Sequence, residues 1–460
     1  MAIGKRKSVQ QPLFVSTVNL PFARPHPYYS ALNKVLDAHE FDVFVEQLCG
    51  KFYAGNKGRP GVAPGVYFRA LMIGYFEGLD SERGIAWRVA DSGSLKLFLG
   101  YAIDQQTPDH STISRTRRLI DIETHSEVFA FILKILANHD LLSGKTLGVD
   151  STTLEANAAM RSIVRRDSSE GYQQFLTRLA RESGIETPTR EDLARLDKTR
   201  KNKASNDDWQ NPHDPDAKIT RMKDGSTHLA HKAEHAIDLG EEAHGAIIAV
   251  NVCDACVGDT NTLGDTINQA RENLDALAAD ERVSDKIDQA PASELVDDKG
   301  YHSRQTMKDL AAMNIRTYTS EPKRGKQKWD GEIDARDAVY ANRRRIKGKR
   351  GKALLRKRGE LIERSFAHCY ETGAMRRLHL RHRENIAKRV LIHAGGFNLG
   401  LLMRVFYAMP KPRNTSGGVF ALILCLWTRL RTLHAAIREL WRDPTRSVSS
   451  AQVSQAFLAA

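Results

Sequence analysis

Residues 145–152 read K-T-L-G-V-D-S-T, and this stretch decides the fold. Thr146 to Val149 is apolar enough to form a strand. The polar run that follows places Asp150 at or just beyond its carboxyl end. In open α/β sheets that end is where loops are free to carry ligands and metals. A second acid has a similar setting, since Ser293 to Val296 reads as a short strand leading into Asp298 in E-L-V-D-D-K-G-Y. A third, Glu363, lies in the helical R-G-E-L-I-E-R-S-F. Asp297 is the neighbouring alternative to Asp298, and Glu360 to Glu363.

Carboxylates at such positions suit Mg²⁺, which takes hard oxygen ligands and keeps waters that phosphate oxygens can replace. Mn²⁺ accepts the same donors. Two ions about 4 Å apart can hold the attacking and leaving oxygens of an in-line displacement. Asp150 is then the candidate to bridge both ions, with Asp298 and Glu363 completing one site each.

Outward from Asp150, apolar spacing predicts a strand pair in T-H-L-A-H-K-A-E-H-A-I-D and G-A-I-I-A-V-N-V, joined near Gly240 to Gly245. A helix follows from Asn261 to Leu277. The expected organisation is a catalytic α/β domain over 144–408, with an insertion at about 153–225. That insertion is polar, with a short helix near 171–182 and flexible ends. A C-terminal packing helix is expected at 409–436. Residues 28–139 repeat apolar side chains at three- and four-residue intervals, the pattern of an all-helical domain. Within it, D-H-S-T-I-S-R-T-R-R-L-I offers Asp109 or Ser111 as a helix cap and Ser114, Arg115, Arg117 and Arg118 as an exposed face. Hydroxyls and arginines in that arrangement can meet phosphates and base edges, as in helix-turn-helix recognition. The plain alternative is a solvated helix packed through Ile113 and Leu119.

The chain has 460 residues and a formal charge of +13, from 69 Lys plus Arg against 56 Asp plus Glu. That balance favours a polyanionic partner. The densest cationic segment is Arg343 to Arg358, ten Lys or Arg in sixteen positions, immediately before the helix of Glu363. Its candidates for phosphate contact are Arg343, Arg344, Arg345, Lys347, Lys349, Arg350, Arg356 and Arg358, followed by Arg364, Arg376 and Arg377. Arg381 and Arg383 extend the series. A solvated, disordered arm is the alternative for this segment.

Five cysteines are too few and too scattered for a disulfide framework and fit a reducing compartment. The N-terminal M-A-I-G-K-R-K-S lacks a following signal-peptide core. Val419 to Trp427 is intensely apolar but too short to span a bilayer. A cytoplasmic, nucleoid-associated location without a membrane partner is expected. Cys253 and Cys256 form a lone C-D-A-C, read as structural thiols. His231, Glu234 and His235 in H-K-A-E-H lack the acid directly after the first histidine that a zincin helix needs. The glycines at 258 and 264 lack the lysine of a phosphate loop.

These blocks together resemble bacterial insertion-sequence DDE transposases, in the broad IS5/IS1182 group, over nearly the whole chain. The segment from Y-F-R-A-L-M-I-G-Y-F-E-G-L-D-S-E-R to D-H-S-T-I-S-R resembles the helical domain that precedes catalysis in that family. V-D-S-T, D-K-G-Y-H-S, I-E-R-S-F, the later R-x-x-N near Arg383 and F-N-L-G resemble its successive catalytic blocks. The resemblance implies a ribonuclease-H-like fold with the acidic trio on Asp150, Asp298 and Glu363. It implies a metal-dependent polynucleotidyl transferase and endonuclease that binds double-stranded element ends, frees a 3′-hydroxyl and joins it to target DNA. A homodimer or higher oligomer on DNA follows from pairing two ends. The sequence departs from relatives that carry arginine four residues before the glutamate, where this chain has Gly359. It departs again at Tyr370, where they often carry a basic residue. The alternatives are a ribonuclease-H-like nuclease without strand transfer and a catalytically inactive DNA-binding regulator.

Overall fold

The structure is a computed structural model that describes residues 25–54, 61–200, 205–222, 225–323, 325 and 327–412. The packing helix expected at 409–436, the apolar run from Val419 and Cys425 lie outside these residues from 413 onward.

Seven helices come first: α1 (Pro27–Ala38), α2 (Phe41–Cys49), α3 (Pro64–Glu77), α4 (Glu82–Ala90), α5 (Gly93–Phe98), α6 (His110–Leu119) and α7 (Ile122–Asn138). Several start on side-chain caps. Ser81, Ser92, Asp109 and Asp121 accept the backbone N–H groups of Gly84, Leu95, Thr112 and Thr124, each satisfying a donor that the first turn leaves orphaned. α3 is buried almost all round, as expected of P-G-V-Y-F-R-A-L-M-I-G-Y-F-E, which has no polar face.

The sheet is built from β1 (Thr146–Glu155), β4 (Lys218–Arg221), β5 (Thr227–Asp238), β6 (Ile247–Asp254), β7 (Glu294–Asp297) and β8 (Arg316–Thr319). Its order is β4-β5-β1-β7-β8, with β6 also on β5. β4, β6 and β1 all pair antiparallel to β5, while β7 and β8 run parallel to β1. The chain is thus an all-helical region followed by a mixed α/β core. β1 continues five residues past Asp150, so this acid sits within the strand and not at its end. The hydroxyl-rich S-T-T-L-E pairs along β5 as far as Ala230, which extends the strand beyond its apolar half.

α10 (Asp259–Ala278) packs on β5 and β6, covering one face of the sheet. α13 (Lys349–Phe366) crosses the other, touching β8, β7, β1 and β5. α11 (Arg304–Ala312) and α12 (Ile333–Lys347) flank β8. The basic segment is therefore two helices broken at Gly348, not a loose arm. α14 (Arg383–Tyr407) packs against α3, α7 and β6 and joins the helical region and the sheet into one hydrophobic core. By length and composition α14 could cross a membrane, yet 78% of its most apolar window is buried inside the fold. Its cations, read in the sequence as a surface series, begin a central helix, with Lys388 and Arg389 buried.

The insertion has its own small core. α8 (Tyr172–Glu182), α9 (Arg190–Thr199) and a ribbon of β2 (Val164–Arg165) with β3 (Trp209–Gln210) enclose Phe175, Leu176, Ala180, Leu193 and Trp209.

Candidate active site

β1 and β7 pair in parallel as far as Gly148 with Val296, so Asp150 and Asp298 each stand two residues beyond the last paired position. Neighbouring strands lie about 4.8 Å apart. Asp298 caps a short 3-10 turn, Lys299–Tyr301, its Oδ1 accepting the Gly300 N–H at 2.7 Å. Asp150 Oδ1 accepts its neighbour's N–H, from Ser151, at 2.8 Å, while Oδ2 ion-pairs with Arg358.

Arg358 is itself buried, and its Nε donates to the Val149 carbonyl at 3.1 Å. Gly148 makes room for this arginine, because a Cβ there would stand 3.2 Å from Arg358 Cγ. Asp297, at the end of β7, is fully buried between these groups. Burial pushes its carboxyl up to about 7; Thr319 and Arg358 counter part of that, whereas Asp298 and Asp150 add to it. Asp297 is therefore a buried group beneath the site and a poor ligand for anything arriving from solvent.

Glu363 is exposed on α13. At about 100° per residue it lies about 140° round the helix from Arg358, against about 200° for Glu360. Leu361 marks one flank of the helix, with its Cβ close enough to meet a methyl on Gly245 at 3.1 Å, near the amino end of β1. Glu363 is on the opposite flank with Phe366, whose ring lies 4.9 Å from that of His235, the residue paired with Asp150. Glu363 thus leans toward the Asp150 end of the strand, whereas Glu360 is tied to Arg364 at 2.7 Å. Among the described residues, the Asp150, Asp298 and Glu363 oxygens do not form a set within 4.8 Å of one another.

Behind Asp150, the other face of the sheet carries a polar chain that sequence reasoning missed. Ser151 Oγ donates to Asp259 Oδ1 at 2.9 Å, and the buried Lys232 donates to the same oxygen at 3.1 Å. A methyl on Gly300 would meet Asp259 Oδ2 at 2.8 Å and Asp298 Oδ1 at 3.0 Å, so both carboxylates flank one glycine. Asp259 therefore bonds the residue after Asp150 and stands beside the turn after Asp298. The signal available was an acid at the first position of a helix following a strand, in V-G-D-T. Glu234 lies deeper, accepting from Thr262 at 3.0 Å, Tyr301 at 2.7 Å and Thr266. Burial raises its carboxyl, and these hydroxyls and Lys232 offset part of the rise.

The cations divide into two groups. Arg343 bonds Glu321, Arg345 bonds Thr317 through its carbonyl and hydroxyl, and Arg350 bonds Glu294. With Arg358, these hold the basic helices to the sheet. Arg344, Lys347, Lys349, Arg356 and Arg364 are exposed. On α6, Arg115 and Arg118 are exposed and Ser114 half-buried, but Arg117 turns inward to Glu82 and to Asn385 of α14. Leu119 is exposed, while Ile113 packs into the core. Arg376 bonds Glu371 and Thr152, and Arg377 is exposed beside Glu155.

His235 bonds Ser365 at 3.1 Å and the Tyr370 hydroxyl at 2.6 Å, and complete burial lowers it to about 3, so it is neutral. Tyr370 is thus a buried partner of His235. His231 contacts the buried Asp214 at 3.2 Å. Burial raises Asp214, but His231 and the His382 N–H prevail and hold it below the ordinary carboxylate range. Ligand atoms of Asp214, Asp216 and His382 lie within 4.8 Å of one another, a set that could hold a divalent ion. The same two carboxylates accept the N–H groups of His382 and Arg383 at 3.0 Å, and so cap α14. Cys253 lies within β6 and Cys256 is exposed beyond it; both are free thiols.

A family described as Transposase domain (DUF772) matches residues 22–119, which takes in α1 to α6 and ends before the sheet. The match is consistent with membership in a transposase family and supports a DNA-acting enzymatic role. No curated protein and no solved structure matches the chain.

Proposed function

We propose that the protein is a DDE-type DNA transposase with a ribonuclease-H-like core, acting through Asp150, Asp298 and Glu363. The observation that carries this reading is the parallel pairing of β1 with β7, in register as far as Gly148 with Val296, two residues before Asp150 and Asp298. Support comes from the strand plan, an antiparallel β6-β5-β1 unit continued by parallel β7 and β8, and from the transposase domain ahead of it.

Two half-exposed acids and one exposed acid offer oxygen ligands of the kind Mg²⁺ or Mn²⁺ takes, and the ion when bound would neutralise charge on the reacting phosphate oxygens. Arg358 fixes the Asp150 carboxylate so that one oxygen faces a constant direction. Asp297, whose carboxyl burial pushes up to about 7, is only partly ionised at neutral pH and so adds less than a full negative charge beside the site. The exposed cations of α12 and α13 hold the DNA backbone near Glu363, and Ser114, Arg115 and Arg118 of α6 contact the element end. Hydrolysis at that end frees a 3′-hydroxyl. Its attack on target DNA exchanges one phosphodiester for another, so no external energy source is needed. Bringing two ends together calls for at least a homodimer on DNA.

The test is a labelled duplex carrying the element's end, incubated with target DNA and Mg²⁺. The expected result is a cleaved end and a target-joined product. Asp150→Ala, Asp298→Ala and Glu363→Ala should each abolish both products while end binding persists. Cleavage without joining would leave a nuclease. Binding and in-cell function untouched by all three substitutions would leave a regulator.

A further inference from the structure

A cavity of about 650 Å³ opens beyond the carboxyl end of β1, between the insertion and the segment that leads into α14. Arg161, on the turn after β1, stands on one wall, and Arg377 and Arg381 stand on the other. Among the residues lining it the only acid is Glu155, which already meets Arg377 at 3.5 Å and His228 at 3.7 Å. The lining therefore keeps an excess of positive charge. Between the cations run Ala156, Ala158 and Ala159 with Met160, small or polarisable side chains that leave a flat apolar strip. Asn157 is fixed by donating to the His379 carbonyl at 2.9 Å, and Arg381 Nε donates to the Asn157 carbonyl at 3.3 Å, so the two walls are tied together.

We infer that this cavity binds a single unpaired nucleotide of the DNA strand, a conclusion that rests on the transposase reading and assigns part of its substrate path. Its volume lies in the range of small-ligand sites and is too small for duplex DNA. Its chemistry is split as a nucleotide's is: cations for the phosphate and an apolar strip for the face of a base. Its position is also apt. Glu155 is five residues along β1 from Asp150, about 17 Å at the rise of a strand. At about 3.4 Å per nucleotide along a strand, the captured nucleotide lies about five positions from the cleaved bond.

The test uses the full chain and two fluorescein-labelled duplexes, one blunt and one ending in a short oligothymidine overhang, with affinity read by fluorescence anisotropy. Wild type should prefer the overhang by about fivefold, the scale of one sulfur–aromatic contact between Met160 and a base. Arg161→Ala should erase that preference and leave blunt-duplex affinity intact. Ala159→Trp, which fills the exposed rim and keeps every charge, should do the same. The inference is overturned if wild type shows no preference, if the preference survives in both variants, or if blunt and overhang affinities fall equally. Binding of neither duplex by wild type would instead remove the transposase reading, and the cavity's role with it.

Discussion

Asp297 offers the most direct physical test of how the site is built. Its side chain is fully buried at the end of β7, next to Asp298 and near Asp150, and its carboxyl titrates at about 7 against an ordinary 3.8. An acid raised in the folded state binds its proton more tightly there than in the unfolded chain. Its contribution to stability is fully present below about pH 4 and is lost as pH rises through about 7. At about 1.36 kcal/mol per pH unit, that difference corresponds to roughly 4 kcal/mol between pH 4 and pH 8. Asp297→Asn keeps the shape and removes the titration. Urea unfolding of wild type and variant across this pH range should show the variant gaining on wild type by up to roughly 4 kcal/mol, with the change centred between pH 5 and 7. Parallel stability curves for the two proteins would refute the argument, because a carboxyl ionised in both states contributes no such slope.

Arg358→Ala leaves Asp150 without its buried partner; breaking such pairs costs about 3 to 5 kcal/mol, and partial exposure of Asp150 brings the expectation toward about 2 to 3 kcal/mol in urea unfolding. The same variant should gain more in melting temperature from added Mg²⁺ than wild type does, since removing a cation beside Asp150 favours another. Asp259→Asn should reduce cleavage at limiting Mg²⁺ more than at saturating Mg²⁺, because the Ser151 and Lys232 contacts that set the spacing of the acids weaken; equal losses at both concentrations would count against a positioning role. Replacing Arg344, Lys347 and Lys349 with alanine should flatten the dependence of log affinity on log salt by about 0.9 for each phosphate that is no longer neutralised, measured by anisotropy over a KCl series. Replacing Arg117 should instead destabilise the fold, since it is buried against Glu82 and Asn385.

The sequence disclosed those parts of the architecture that depend on local pattern. β6 carries a continuous apolar run, β5 spaces its apolar residues among polar ones, the turn between them is bounded by glycines, and α10 repeats at helical spacing, so both were readable. The length of β1 was not. Its second half is S-T-T-L-E, which is polar by composition and becomes strand only because β5 supplies a partner for each residue to Glu155. α14 was concealed for the opposite reason: the stretch leading into it, Arg376 to Arg383, is so rich in Arg and His that it resembles a surface, while the later turns of the helix are the centre of the molecule. Which arginines face outward was also unreadable, because Arg343, Arg345, Arg350 and Arg358 owe their orientation to Glu321, Thr317, Glu294 and Asp150, residues far away along the chain.

The same distinction changes how the acids should be understood. Asp150 and Asp298 are visible in sequence because each ends or interrupts an apolar run, but what gives them a fixed relation lies on the two faces of the sheet. On one face Arg358 crosses Gly148 to hold Asp150; on the other Asp259 accepts from Ser151 and stands beside the Gly300 turn after Asp298. Glu363 has no comparable restraint from the sheet and rides on the flank of a helix anchored by arginines. In the proposed site, Asp150 and Asp298 are thus bonded to the sheet or to their own turn, whereas Glu363 is carried on a helix flank. An enzyme that must accept first water and then a DNA hydroxyl at one phosphate has a physical use for that asymmetry, because the fixed pair preserves the ion positions while the helix-borne acid follows the strand. Tethering α13 to the β5–β6 hairpin by an engineered disulfide between Leu361→Cys and Gly245→Cys should accordingly spare DNA binding and slow joining more than cleavage. The comparison is made between the oxidised and reduced forms of that one variant, so the strain of a side chain at the positive φ of Gly245 is common to both. Equal slowing of the two steps on oxidation would show that Glu363 serves them from one position.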